Sequence, residues 1–569
     1  MPRTDLILFH APTVYDFRQK TILYGPVSDL VPSSPIFEMY PIGLVSIAEY
    51  LGCAGYRARI INLAVRMLRD PDFDAEKLIK DTESPVYGID LHWMPHAHGA
   101  IEVARLVKKH HPRAKVVLGG LSASYYHREL FHYPEIDYVI RGDTTEEPVR
   151  RLMDCIRQGR PPEDVPNLTW RDEKGEVREN PFSHVPNELT DVMVHYYDRV
   201  FQSALRSRNV ANYLPFKRWL RYPITAVLTC RGCTRNCVYC GGSAASYHRF
   251  FNRDQPAFRP PEAVARDVER ISKITKGPIF ILGDIRQQGE DYAQRLLRLL
   301  AGVRNKNQII LELFEPASRQ FLQQMGEACP GFCLEMSPDS HDPLVRKATG
   351  KNYTSEALEE TMEGALAAGC GRLDIYFIMG LPQQTPKSAL DTVDYCGSLM
   401  DKFASDKRLS LFTSPLAPFL DPGCLAFEDA ERHGYRVLFR DLEEHRRALL
   451  QPSWKYTLNY ETEWMNRQEI VDTTYEAGLR LNSLKAKHGL IPQSAAKATE
   501  LRINTALEML RRIDAIVASG SDEKELAEIK ATVDQVSIST VCEKGELELP
   551  TASLALRPLH ALWSLVKAR

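Results

Sequence analysis

Residues 224–243 read ITAVLTCRGCTRNCVYCGGS, and the rest of the chain is organised around that stretch. Ile224, Thr225, Val227, Leu228 and Thr229 form a short β-branched and apolar run, the pattern of a buried strand. It runs straight into four cysteines within eleven positions, Cys230, Cys233, Cys237 and Cys240. The last three have the spacing C-x3-C-x2-C. A zinc site built from four cysteines needs two separated knuckles at the corners of a tetrahedron. Only three residues lie between Cys233 and Cys237, too few to fold a second knuckle back. Three thiolates on one tight loop suit an iron–sulfur cluster in which one iron has no protein ligand. Such an iron is open to a substrate or cofactor. Cys230 reads as a loop residue beside the set.

Strand and helix patterns alternate downstream of the cysteines. Strands are expected over 278–282, 308–313, 332–336 and 373–379, and helices over 261–274, 292–303, 317–327 and 355–368. A run of βα units implies a partial (β/α)6 TIM-type barrel with its chemistry at the strand carboxyl ends. Upstream, strands over 6–9, 58–62, 86–91, 115–118 and 138–140 alternate with helices over 41–51, 98–110 and 146–155. That is a doubly wound, Rossmann-like parallel sheet, which binds ligands beyond its strand ends. No GxGxxG follows the first strand, which ends at His10-Ala11-Pro12, so a dinucleotide is not expected. The overall class is α/β. Domains are expected over 1–160, 161–220 as a linker with a hairpin around Glu173-Lys174-Gly175, 221–422 for the barrel, and 423–569 for a mainly helical unit.

Lys and Arg number 72 against 74 Asp and Glu, a formal net charge of −2, which gives no support for a nucleic-acid groove. The interleaved basic and aromatic residues Arg206, Arg208, Tyr213, Lys217, Arg218, Trp219 and Arg221 therefore read as a solvated connecting face. Met1 leads directly into a strand pattern with no signal peptide. No run of eighteen apolar residues spans a membrane. Twelve cysteines, eight of them scattered outside the motif, fit a reducing cytoplasm. Cys329-Pro-Gly-Phe-Cys333 reads as a turn. Helices are expected over 438–450, 467–488, 493–518 and 523–536. The aromatic stretch 453–464 reads as core packing, and the amphipathic 554–567 as a segment docked on the fold.

The segment Cys233-Thr-Arg-Asn-Cys237-Val-Tyr239-Cys240 resembles the CxxxCx(aromatic)C signature of the radical S-adenosylmethionine (SAM) superfamily. The resemblance implies that Cys233, Cys237 and Cys240 hold a [4Fe–4S] cluster, with SAM on the fourth iron and Tyr239 at the aromatic position. It also implies SAM contacts at Gly283 and Asp284 after the second strand, Glu335 and Ser337 at the fourth, and Gly380 at the fifth. The N-terminal half resembles the cobalamin-binding domain that precedes many radical SAM domains. The matching pieces are Pro41-Ile-Gly43-Leu, Val-Leu-Gly119-Gly120 and Asp137-Tyr-Val-Ile-Arg141-Gly142, with Asp143 where relatives carry glutamate. This likeness implies cobalamin contacts at Pro12, Gly43, His92, Gly119, Gly120, Ser122, Arg141 and Gly142. Asp90-Leu-His92 is neither the strand nor the full motif of a cobalt-binding histidine, so the expectation is cobalamin with its base displaced and no histidine on cobalt.

What the two resemblances imply together is a cobalamin-dependent radical SAM enzyme, foremost a methyltransferase acting on an unactivated carbon. Rearrangement, ring closure or carbon–carbon coupling with the same cofactors is the alternative. A cobalamin sensor or carrier is the non-enzyme rival, against which the complete cysteine triad and Gly283-Asp284 count. An external electron donor such as flavodoxin or ferredoxin is implied, together with a small-molecule, lipid or peptide substrate and no nucleic acid.

Overall fold

The computed structural model describes residues 4–26, 33–189, 210–304, 307–416, 418–520, 523–536 and 541–549. Arg206, Arg208 and the segment 554–567 lie outside the described residues. Strands β1 (Leu6–His10), β2 (Ala58–Asn62), β3 (Val86–Asp90), β4 (Lys115–Gly119) and β5 (Tyr138–Ile140) pair in parallel in the order 2-1-3-4-5. Alternation along β1 decides which helices go where. Leu6 and Leu8 pack with Leu44 and Leu51 of α1 (Ile42–Cys53) and with Leu152, while Ile7 and Phe9 turn to the opposite core with Val103 and Val107. Helices on both faces make the sheet doubly wound, and the strand order reverses between β1 and β3.

Two findings modify the sequence expectation here. The hairpin of β6 (Leu168–Arg171) and β7 (Val177–Glu179) pairs antiparallel onto β5, so it extends this sheet instead of standing apart from it. Leu63–Arg69 is helical directly after β2, because the strand's last residue, Asn62, caps it by accepting from the Val65 N–H at 2.9 Å.

The second sheet starts at β8 (Thr225–Leu228). The cysteine loop then includes β9 (Cys230–Arg231), antiparallel to β10 (Ala257–Phe258). Next come β11 (Ile279–Leu282), β12 (Ile309–Leu313), β13 (Cys333–Asp339), β14 (Arg372–Met379) and β15 (Leu409–Pro415), all parallel. This is a six-stranded partial barrel. Helix Arg467–Lys487 covers its β15 edge, burying Ala477 and Leu481 in the barrel core. The expected helix over 438–450 is shorter, Leu442–Ala448, since an Asp441–Glu444 capping box fixes its start. Residues of 453–464 are core, with Trp454 donating to the Tyr475 hydroxyl at 3.1 Å.

Candidate active site between the two sheets

Local hydrogen bonds shape the cysteine loop. Cys240 N–H donates to the Cys237 carbonyl at 3.1 Å, closing a turn. The Arg235 and Gly242 amides each stand 3.3 Å from a sulfur, Cys233 Sγ and Cys240 Sγ. Arg235 pairs with Glu315 and the Thr234 amide reaches Gln287 Oε1 at 3.0 Å, pinning the loop to its neighbours. Burial pushes the Cys240 thiol up to about 12 and Cys230 up to about 11, so only a bound cation would make thiolates of them. Among the described residues no three Cys, His, Asp or Glu side chains converge as ligands of one metal ion. A cluster instead places each thiolate on a different iron, and one loop carrying three thiols suits that.

Opposite the loop, one cavity of about 610 Å³ runs from the barrel mouth to the end of the N-terminal sheet. Cys233, Cys240, Cys230 and Gly283 line it from the barrel, and Gly43, His92, Gly119, Gly120 and Gly142 from the other side. It continues as an apolar slot between the sheet (Leu6, Leu8, Val117) and Leu44, Ile47 and Leu152 of the helices. Gly120 is also required by the chain's own packing. Its φ of +119° is one that side chains avoid, and an added Cβ would stand 2.3 Å from the His92 Cα. A flat group with an apolar tail fits such strand ends and such a slot.

Several residues expected at the site are engaged elsewhere. Arg141 turns into the hairpin, donating to the carbonyls of Asn167 and Leu168 at 3.3 and 3.4 Å. Pro12 and Ser122 are buried outside the cavity lining. The Tyr239 hydroxyl donates to Asp339 at 2.8 Å, and Lys351 pairs with the same carboxylate at 2.6 Å. Gly380 packs against the Tyr460 hydroxyl. Ser337 is exposed at a bulge of β13. Asp284 has no oxygen to spare, because Arg286 binds both at 2.9 and 2.6 Å and the Phe314 amide donates to it at 2.9 Å.

A different carboxylate faces the cavity. Glu312 lies near the end of β12 and accepts from the Gly283 amide. Burial holds its carboxyl up at about 7, opposed by that amide and reinforced by the charge of Asp284. Glu335 stands beside it in register across β13, with Asp374 next on β14. Burial also raises Glu335, though it lies inside the barrel and not on the cavity wall. The sequence signal was a carboxylate inside an otherwise apolar strand, Ile309-Ile-Leu-Glu312-Leu313.

Two buried ion pairs hold the sheets face to face. Arg231, adjacent to Cys230, binds Glu146 at 2.9 and 2.5 Å, and Arg253 binds Asp143 at 2.6 and 2.9 Å. The Asp421 carboxylate accepts from Trp93 Nε1 at 2.8 Å and from the Gly241 amide at 3.1 Å. It thereby ties the loop after β3 to the cysteine loop.

Residues 33–150 match the family model described as the B12 binding domain, and residues 227–396 match that of the Radical SAM superfamily. An uncharacterized methyltransferase of Pyrococcus horikoshii is 26% identical over 333 residues, 57% of this chain and 67% of its own length. The hopanoid C-3 methylase of Methylococcus capsulatus is 25% identical over 271 residues, 45% of each chain. The chain thus spans about two thirds of one of these relatives and under half of the other. In fold it resembles the radical SAM methyltransferase TsrM of Kitasatospora setae, solved with cobalamin and a [4Fe-4S] cluster. There the TM-score is 0.57 at 17% identity, covering 84% of this chain and 89% of that one.

Proposed function

The chain is a radical SAM protein with a cobalamin-binding domain, and on that premise we propose that it is a cobalamin-dependent methyltransferase acting on an unactivated carbon. The observation that supports this best is the single cavity lined both by the cysteine loop and by the glycine ends of the N-terminal sheet. A chain that used only one of the two groups would not need them to share a space.

When bound, the cluster and SAM supply a 5′-deoxyadenosyl radical for hydrogen abstraction, and cobalamin supplies the methyl group. The chain's own residues bind and orient. Cys233, Cys237 and Cys240 would hold the cluster. Gly119, Gly120, Gly142 and Gly43 would let a corrin come close to the backbone, and the apolar slot beside Leu44 and Leu152 offers room for an apolar part of it. Gly283 and Glu312 bound the space between them, and the Arg231–Glu146 pair fixes its width.

An external one-electron donor such as flavodoxin or ferredoxin supplies the reducing equivalents in this scheme. The chain would work in the cytoplasm, where its twelve free thiols stay reduced. No helix among the described residues is long and apolar enough to cross a membrane. The substrate is a small molecule, a lipid or a peptide.

The test is anaerobic incubation of the reconstituted protein with reductant, cobalamin and methyl-labelled SAM. Label should appear on cobalamin together with S-adenosylhomocysteine, and 5′-deoxyadenosine should form in the same reaction. Cobalamin binding with neither product would favour the sensor or carrier.

A further inference from the structure

Alternation along the barrel strands turns a belt of acids inward. Leu311, Leu334 and Ile375 pack beneath the helices, so Glu312, Glu335 and Asp374, each one residue away, face the interior. Register sets them side by side, Glu312 against Glu335 and Glu335 against Asp374, on strands about 4.8 Å apart. Asp374 has its own cation, since Arg372 Nε donates to its two oxygens at 2.7 and 3.0 Å. The other nitrogens of Arg372 donate to the Glu548 carbonyl at 3.1 Å and to the Glu546 carbonyl. All three guanidinium nitrogens are thus engaged away from Glu335.

Glu335 is 6% exposed, and among the described residues no hydrogen bond reaches its carboxyl. A second group stands beside it in the same condition. Tyr376 follows Asp374 on the inward side of β14, is also 6% exposed, and its hydroxyl has no partner among the described residues. Its ring stacks on Phe412 at 5.1 Å and packs against Leu547, so its place is fixed. Burial, and then the charge of Glu335, push that hydroxyl well above the usual tyrosine range, which marks the two as neighbours. Glu312 is the member of the set that the cavity reaches, and among the described residues it accepts only from the Gly283 amide.

Buried polar groups without partners are costly, and each calls for a reason. Here the groups left over share one need, a cation with several donors. A primary ammonium offers three N–H donors, no acceptor and one positive charge. Glu312, Glu335 and the Tyr376 oxygen offer three acceptors, two of them able to carry negative charge. A metal ion matches them less well, because among the described residues no three Cys, His, Asp or Glu side chains converge on one ion. We propose that Glu312, Glu335 and Tyr376 form a subsite for a primary ammonium group, so that the substrate of the methyl transfer carries a protonated amine. The assignment rests on the methyltransferase reading, because it takes the barrel interior as the substrate chamber. In the empty fold burial and like charge favour the protonated carboxyls, and an arriving cation favours the ionised form.

Saturation-transfer NMR of the full chain, reconstituted with cluster and cobalamin and saturated with SAM, tests it. The probes are n-butylammonium, n-butanol and butyrate, alike in size and different in charge. The ammonium should receive transfer well above the alcohol, and butyrate none. Glu335→Gln keeps the shape and should weaken ammonium binding roughly tenfold, the scale of one charge-assisted hydrogen bond lost. Iron content and SAM affinity should stay at wild-type levels in that variant. Tyr376→Phe removes one of the three acceptors and should also weaken the ammonium, which decides the case if Glu335→Gln fails to load its cofactors. No more transfer to the ammonium than to the alcohol, or an ammonium signal that these variants leave unchanged, overturns the proposal. A signal present without SAM and abolished by it assigns the carboxylates to the ammonium of SAM itself, which overturns the proposal as well. All of these results leave the methyltransferase reading standing, whereas a chain that binds neither iron nor SAM defeats that reading and the proposal with it.

Discussion

The two walls of the cavity are built on opposite principles. The barrel wall works through side chains that carry chemistry: the thiols of Cys233 and Cys240, with Cys237 between them on the same loop, and the carboxyl of Glu312. The N-terminal wall works largely by leaving side chains out, at Gly43, Gly119, Gly120 and Gly142, with Asp90, His92, Asp143, Thr145 and Glu146 as its polar members. A cluster is held by bonds to specific atoms, whereas a broad flat cofactor is held by shape and close backbone approach. The barrel wall is therefore sensitive to removing atoms and the N-terminal wall to adding them. That asymmetry can be broken by experiment.

The largest effect belongs to the barrel. Cys237→Ala should reduce iron from about four per chain to almost none after anaerobic reconstitution, with cobalamin uptake retained. Iron and cobalt analysis of one preparation decides it, and an iron-replete variant would remove the cysteine triad from its proposed role. The counterpart on the other wall is Gly120→Ala. The added methyl group meets the His92 Cα at 2.3 Å, in a backbone conformation that costs on the order of 1–3 kcal/mol for a side chain. Cobalamin affinity should fall at least tenfold while iron content stays at the wild-type level. Loss of both cofactors together would mean that the two walls are not independent, and the contrast drawn between them would fail.

What could be read in the chain beforehand follows the same division. The cysteine spacing and the strand-end glycines are local patterns, a few residues long, so both walls and both sheets were legible. The parts that escaped depend on register between distant strands. Nothing local says that Glu312, Glu335 and Asp374 sit side by side, because β12, β13 and β14 are joined only through intervening helices. Nothing local places His10 against Asp90, 80 residues away, either. Asp284 illustrates the converse. It sits where an acidic acceptor is expected, but Arg286, two residues on, occupies it. Proximity in sequence to a strand end does not decide which way a side chain turns.

The smallest effect tests whether Glu312 is the acid of the barrel wall. Its carboxyl titrates at about 7, raised by burial and by Asp284 from the usual carboxylate range. The folded chain therefore binds this proton more tightly than the unfolded chain does. That stabilisation is complete below the unfolded pKa, near 4.5, and is lost as the pH rises through about 7. Above neutrality an ionised Glu312 is a liability in the cofactor-free fold, because burial and the charge of Asp284 oppose its ionisation while the Gly283 amide favours it. Glu312→Gln keeps the shape and cannot ionise. Relative to wild type, the variant should gain on the order of 2 kcal/mol between pH 5 and pH 8, after allowance for the carboxyl's contact with the cavity. Thermal unfolding of the two cofactor-free proteins at both pH values measures that difference, and groups common to both cancel. A difference that does not change with pH would show that Glu312 is ionised throughout. The barrel wall would then present a fixed anion, a wall suited to a cation in the cavity and not to a neutral hydrogen-bond partner.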